Sequence, residues 1–188
     1  MSEIYQYKKL EESIKNYPDR NDLTRFCLLP LTVLATEAKV VVELGVGEGW
    51  SAEAIYFSVR EKNGKLFLID PTTPDLNGRE DHKCLRNLLK YSNVFQLRKD
   101  SIVAGKEWVE GQVDWLHIDT CHEYEQTRGE LETWYPHMKV GGLIVMHDSN
   151  LEGVKKAVDE FISFRGNDVF FYNMTDNVHG LIFIRKLK

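Results

Sequence analysis

Long apolar runs are missing from this sequence of 188 residues: no segment approaches the roughly 20 consecutive apolar residues that a bilayer span needs, which sets membrane insertion aside. The N-terminal segment MSEIYQYKKLEESIKNY carries charges in a helical pattern instead of an apolar leader core, so secretion is disfavoured too. Positive charge is also in short supply. With 24 Lys and Arg against 29 Asp and Glu, the net charge is -5, and no general cationic field exists to neutralise a phosphate backbone. Nucleic acid is therefore a poor partner. Cysteine is scarce: Cys27, Cys84 and Cys121 are an odd number with no CxxC spacing, which argues against a disulfide framework and for a reducing compartment, the cytoplasm. Internal repeats, low-complexity tracts and Gly/Ser linkers are absent as well. The chain reads as one domain over 1–188, with a helical N-terminal extension at 1–38 and the main body at 39–188.

What is present is alternation. Val40-Val41-Val42 runs into glycines around Gly45, and Ala52, Ile55, Tyr56 and Val59 then share one helical face. Further short apolar runs follow at Lys65–Asp70, Val94–Arg98, Val113–Asp119 and Gly142–Met146, with helical stretches between them such as Glu123–Trp134 and Val154–Ile162. Strands alternating with helices imply an α/β fold with a parallel sheet covered on both faces. The runs Asp168–Met174 and Gly180–Arg185 break the rhythm, because the segment between them is too short for a parallel crossover. They predict a hairpin and an antiparallel last strand, seven strands in all. Two helices, about Glu3–Tyr17 and Asn21–Thr36 with Asn21 a candidate N-cap, are expected to pack over the sheet's C-terminal edge or one face.

The segment Glu43-Leu44-Gly45-Val46-Gly47-Glu48-Gly49-Trp50-Ser51 leaves a strand and enters a helix, where glycines permit positive φ and close approach of a ligand to backbone N–H groups. A dinucleotide fingerprint, G-x-G-x-x-G, would need a third glycine where Trp50 stands, and the indole would obstruct a pyrophosphate. That weakens the reading as a dinucleotide-dependent oxidoreductase. The spacing E-x-G-x-G-x-G resembles the first motif of class I S-adenosylmethionine-dependent methyltransferases. Asp70 ends the second strand, where an acidic side chain can accept from ribose hydroxyls, or Asp70-Pro71 can simply start a turn. Asp100-Ser101 resembles the family's adenine-contacting position; a helix N-cap is the alternative.

Two polar clusters end the fourth and fifth strands: Asp119-Thr120-Cys121-His122-Glu123-Tyr124 and His147-Asp148-Ser149-Asn150. Carboxyl ends of neighbouring strands face the ligand crevice of an open α/β sheet, so the two should converge. Together they resemble small bacterial O-methyltransferases and sugar methyltransferases, over Lys39 to Asn150. The resemblance implies a Rossmann-like three-layer sandwich that binds S-adenosylmethionine and methylates a hydroxyl on a small molecule; a non-catalytic nucleoside binder is the alternative. It implies donor contacts at Glu43, Gly45, Gly47, Gly49, Trp50, Ser51, Asp70, Asp100, Ser101 and Asp119, and His122 as general base. In cation-dependent relatives, carboxylates at these strand ends hold Mg²⁺, which carries over to Asp119 and Asp148, with His147 departing from the pattern. A Zn²⁺ or Fe²⁺ site from Asp119, His122, His147 and Cys121 is chemically conceivable.

Plainer roles compete. His122-Glu123 could begin a helix, His147-Asp148 could be a turn, and Tyr124, Trp134 and Tyr135 read as packing residues before a substrate cage. His82 and His179 read as surface or loop histidines, and residues 71–78 as a lid or an ordinary loop. A homodimer would cover the C-terminal hairpin or the N-terminal helices.

Overall fold

A computed structural model of the chain describes residues 23–71, 83–174 and 179–188. Seven strands form one sheet: β1 (Val40–Leu44), β2 (Lys65–Ile69), β3 (Val94–Leu97), β4 (Val113–Ile118), β5 (Met138–His147), β6 (Val169–Met174) and β7 (Leu181–Lys186). Their order is β3-β2-β1-β4-β5-β7-β6. β1 to β5 pair in parallel, and β7 runs antiparallel between β5 and β6, as the short C-terminal connection requires. The order reverses between β1 and β4, which makes their carboxyl ends the switch point where open α/β sheets bind ligands.

The helices are α1 (Leu23–Ala35), α2 (Trp50–Glu61), α3 (Lys83–Leu88), α4 (Ser101–Lys106), α5 (Tyr124–Trp134) and α6 (Glu152–Arg165). Strands buried on both faces need apolar side chains in both directions. On one face Val42, Leu44, Leu116, Ile118 and Ile144 meet α4, α5 and α6 through Ala104, Leu131, Trp134, Val154 and Phe161. On the other, Val41, Leu66, Leu68, Trp115 and Val145 meet α1, α2 and α3 through Leu29, Val33, Ile55, Val59 and Leu85. The expected second N-terminal helix is thus present as α1 and covers a face of the sheet. Pro30 lies inside it, and its carbonyl accepts a hydrogen bond from Ser58 Oγ of α2 at 2.8 Å. The expected helix at Glu3–Tyr17, the Asn21 cap, His82 and the loop beyond Pro71 lie outside the described residues.

Two details differ from the sequence pattern. β5 starts at Met138, ahead of the expected Gly142, because Met138 pairs with Val113 before the register shifts between Val113 and Trp115. The glycines at 141 and 142 conceal that early stretch. α3 and α4, six residues each, are too short to show an apolar stripe. Trp134 and Tyr135 are core residues, and Tyr124 packs at the surface, its hydroxyl donating to Glu160 and its ring facing the Lys156 ammonium. No described helix is long and apolar enough to cross a membrane.

Candidate active site

β1 ends by running straight into the glycine turn. Gly45 takes φ 79°, and a Cβ there would stand 1.9 Å from the Asp119 carbonyl oxygen at the end of β4. Only glycine lets the two strand ends approach so closely. Gly47 also has positive φ, 50°, but a Cβ there would meet no heavy atom of the described residues within 4 Å. One glycine is needed for packing and the other leaves a gap. The gap belongs to a cavity of about 630 Å³, lined by Gly45, Gly47, Trp50 and Ser51 on one side and by Asp70, Asp100, Ser101, Asp119 and Gln126 on the other. That volume lies within the roughly 300–1,000 Å³ common for small-molecule pockets.

Asp70 is buried at the end of β2, and its Oδ2 accepts from the N–H groups of Val46 at 2.8 Å and Gly47 at 3.1 Å. It therefore fixes the turn as well as lining the cavity. Asp100 is a helix cap and a cavity residue at once: Oδ1 accepts from Ile102 and Val103 at the start of α4, and Oδ2 lies 3.4 Å from Gln126 Nε2. Behind it, buried Glu130 accepts from the hydroxyls of Ser101 and Thr120 and from Gln126 Nε2. Burial raises the Glu130 pKa, against the pull of those three donors. The network holds the ends of β4, α4 and α5 in one arrangement. Four carboxylates, Glu48, Asp70, Asp100 and Asp119, line the cavity, and no lysine or arginine appears among its described lining residues.

Asp119 also belongs to a second group. It lies within 4.8 Å, donor atom to donor atom, of His122, His147 and Asp148. His122 Nε2 stands 3.3 Å from Asp119 Oδ1 and 2.9 Å from Asp148 Oδ2. His147 Nδ1 is 3.4 Å from Asp119 Oδ1 and 2.9 Å from Asp148 Oδ2. His179, two residues before the start of β7, reaches Asp148 Oδ1 with Nδ1 at 3.2 Å. His122 and Asp148 both adopt left-handed backbone, φ 60° and 54°, which is costly for residues with a Cβ and turns both side chains toward the group. The hydrogen bond to Asp119, then that to Asp148, raises the His122 pKa from 6.5 to about 9, against the opposing effect of burial. Burial works against the charge of Asp148, but the hydrogen bonds from His122 and His147 outweigh it and hold its carboxyl well below the usual carboxylate range.

The expected Mg²⁺ can be weighed against this donor set. Mg²⁺ takes oxygen ligands in a near-ideal octahedron. Here two imidazoles stand among two carboxylates, with His147 almost wholly buried at the end of β5. The charge suits a divalent cation, but the donors are not those of a magnesium site.

The structure thus brings Gly45, Gly47, Trp50, Ser51, Asp70, Asp100, Ser101 and Asp119 around one cavity, and Asp119, His122, His147 and Asp148 around one point beside it. Gly49 and Glu43 fall outside the cavity lining. A Cβ on Gly49 would press on the Leu85 backbone. Glu43 points into the sheet, where its Oε1 meets His117 Nδ1 at 3.0 Å with both side chains fully buried, and Glu43 Oε2 and His117 Nε2 have no hydrogen-bond partner among the described residues. Cys121 lines the cavity and is not part of the histidine–carboxylate group. His179 is a loop histidine, as expected, and is also a neighbour of Asp148. Gln126 carries no signal of its place in the lining: a polar residue in the first turn of a helix does not show where that helix begins relative to a pocket.

No curated protein matches the sequence. Solved structures match in fold at low identity. A methyltransferase from Podospora anserina, bound to SAH, superposes with a TM-score of 0.70 at 15% identity, over 100% of this chain and 89% of the other. An O-methyltransferase from Bacillus cereus in complex with SAH gives 0.66 at 14% identity, over 99% and 92%. An rRNA methylase from Streptococcus thermophilus gives 0.63 at 16% identity, over 92% and 99%. The family profile described as a methyltransferase domain matches residues 42–149, more than half of the chain and the span from the glycine turn to the end of β5. On that match, with the strand order and the crevice it creates, the chain belongs to the methyltransferase domain family.

Proposed function

We propose that the protein transfers the methyl group of S-adenosylmethionine to a hydroxyl oxygen of a small molecule. The observation that carries the donor is the charge of the cavity. Four carboxylates without a described basic partner in the lining repel a pyrophosphate and favour a cationic sulfonium nucleoside. Within it, Asp70 faces the ribose, Asp100 and Gln126 the base, and the open wall at Gly47 takes the amino-acid end. The solved relatives bound to SAH support the same ligand class.

Asp119 carries the acceptor half, because it stands in both the cavity wall and the histidine–carboxylate group. An acceptor hydroxyl placed against His122 is then beside the donor methyl. The oxygen forms a bond to the methyl carbon as the carbon–sulfur bond breaks, the electron pair stays on sulfur, and the hydroxyl proton passes to His122. Alignment of oxygen, carbon and sulfur supplies the larger share, up to about 7–11 kcal/mol in favourable cases, whereas a general base contributes roughly 10²–10⁴ in rate. Two carboxylates raise the His122 pKa to about 9, so the neutral imidazole that accepts the proton is the minor form at neutral pH and its share grows as pH rises toward 9.

The test has two parts. S-adenosylhomocysteine should raise the melting temperature and NADH should not; the reverse outcome would remove the donor assignment. On a panel of small hydroxyl acceptors, His122→Ala should lower turnover by about 10²-fold or more at unchanged donor affinity. Wild-type turnover in that variant would remove His122 from the chemistry.

A further inference from the structure

We infer that Asp119, His147 and Asp148 form a binding site for a first-row transition-series divalent cation, of the iron-to-zinc class, in preference to Mg²⁺, with His122 facing it from the solvent side. The inference rests on the side chains of this group and holds whether or not the chain transfers methyl groups.

Burial sorts the four residues. Side-chain exposure is 6% for His147, 12% for Asp148, 19% for Asp119 and 31% for His122, so the first three form an inner cradle and His122 its outer edge. The cradle is rooted on two adjacent parallel strands, since His147 ends β5 and Asp119 follows Ile118 of β4. Donors held roughly 2.0–2.2 Å from one ion, at right or tetrahedral angles to each other, lie about 2.8–3.6 Å apart. The distances from His147 Nδ1 to the two carboxylates, 2.9 and 3.4 Å, fall in that span. Two adjacent carboxylates in a partly buried place favour positive charge, and on the outer side His122 Nε2 stands 3.3 Å from Asp119 Oδ1 and 2.9 Å from Asp148 Oδ2.

The chemical class follows from His147. An imidazole nitrogen suits zinc, iron, copper and nickel, whereas an all-oxygen shell suits magnesium, calcium and manganese. A buried histidine at the last residue of β5 fixes one nitrogen donor that cannot swing into solvent. His179, in contact with Asp148 Oδ1, holds that carboxylate in place.

The test uses the whole chain, stripped with a chelator and titrated separately with Mg²⁺ and Co²⁺, reading thermal stability and the visible cobalt spectrum. The wild type should bind Co²⁺ at least about 100-fold more tightly than Mg²⁺, with a nitrogen–oxygen ligand spectrum and no sulfur-to-cobalt charge-transfer band. Any nitrogen–oxygen site favours cobalt to some degree, so the decisive variant is His147→Asp, which should narrow that ratio by about tenfold or more. His147→Ala, checked for cooperative unfolding, should lose cobalt binding. Equal affinity for Mg²⁺ and Co²⁺ in the wild type would overturn the inference. So would an unchanged ratio in His147→Asp, or a sulfur band that places the ion at Cys121.

Discussion

Gly45→Ala and Gly47→Ala place the same methyl group two residues apart, yet the structure assigns them different consequences. At Gly45 the new Cβ would overlap the Asp119 carbonyl at 1.9 Å, where real contacts stay above 3.0 Å, so the ends of β1 and β4 must part by about an ångström. Overpacking of that kind costs about 1–3 kcal/mol, and left-handed backbone adds about 1–2 kcal/mol for a residue with a Cβ. Gly47→Ala bears only the second cost, partly offset by about 0.4–1 kcal/mol of lost unfolded-state entropy, for a net near 1 kcal/mol. For a chain of this size 1 kcal/mol moves the melting temperature by about 2–4 °C. Calorimetric melting should therefore show a fall of roughly 2–4 °C for Gly47→Ala and about 5–15 °C for Gly45→Ala. Titration with S-adenosylhomocysteine should show the converse ranking among folded protein. The Gly47→Ala methyl projects into the cavity wall and should weaken binding tenfold or more, about 1.4 kcal/mol. If Gly47→Ala binds like the wild type, the cavity wall is not where the donor lies. If Gly45→Ala melts with Gly47→Ala, the strand-end contact has been misjudged.

Asp70 has two duties that its variants should separate. Asp70→Asn keeps an oxygen for the Val46 and Gly47 N–H groups and should retain stability while weakening the donor, whereas Asp70→Ala should lose both, by about 1–3 kcal/mol in stability; equal donor affinity in Asp70→Asn and wild type by calorimetry would exclude the ribose contact. In protein stripped of divalent ions, the His122 ring should titrate by NMR near 9, and Asp148→Asn should bring it back toward 6.5. A pKa raised on folding means that its contribution to stability is complete below 6.5 and is lost as pH rises through about 9, so denaturant melts of the stripped protein should weaken across that window. Glu43 and His117 form a buried hydrogen-bonded pair, so removing either alone should cost about 1–3 kcal/mol by leaving the other without its partner, and Glu43→Leu with His117→Leu together should cost clearly less than the sum of the singles in a double-mutant cycle.

The glycine turn, Asp70 and the two strand-end clusters were legible because each is a local pattern: a strand, a turn residue and a polar stop within ten residues. Glu43 shows where such reading ends. Val42 and Leu44 face one helix layer and Val41 the other, so strand alternation sends Glu43 to the layer of Val41, inside the molecule. Its motif gave it a ligand, but its partner is His117 on the neighbouring strand, set opposite it by β1–β4 register. Register between distant strands leaves no trace at either residue. His179 was opaque for a related reason, since only the insertion of β7 beside β5 carries the end of the β6–β7 connection to Asp148. For Asp100 the pattern offers a helix N-cap or a donor contact; the structure shows the cap and places the residue in the cavity wall.

The position of β7 has a consequence for the order in which a growing chain can acquire its parts. Protein synthesis delivers residues in sequence, and domains tend to organise from the N-terminal side as they emerge. β1 to β4, the glycine turn and the lining residues of the cavity are all made before residues 179–186. Asp148 gains His179, and β5 gains its second neighbour, only once residues 179–186 have entered the sheet between β5 and β6. A nascent chain halted before that point would hold most of the cavity's lining residues but lack His179 beside Asp148 and the strand that pairs with β5.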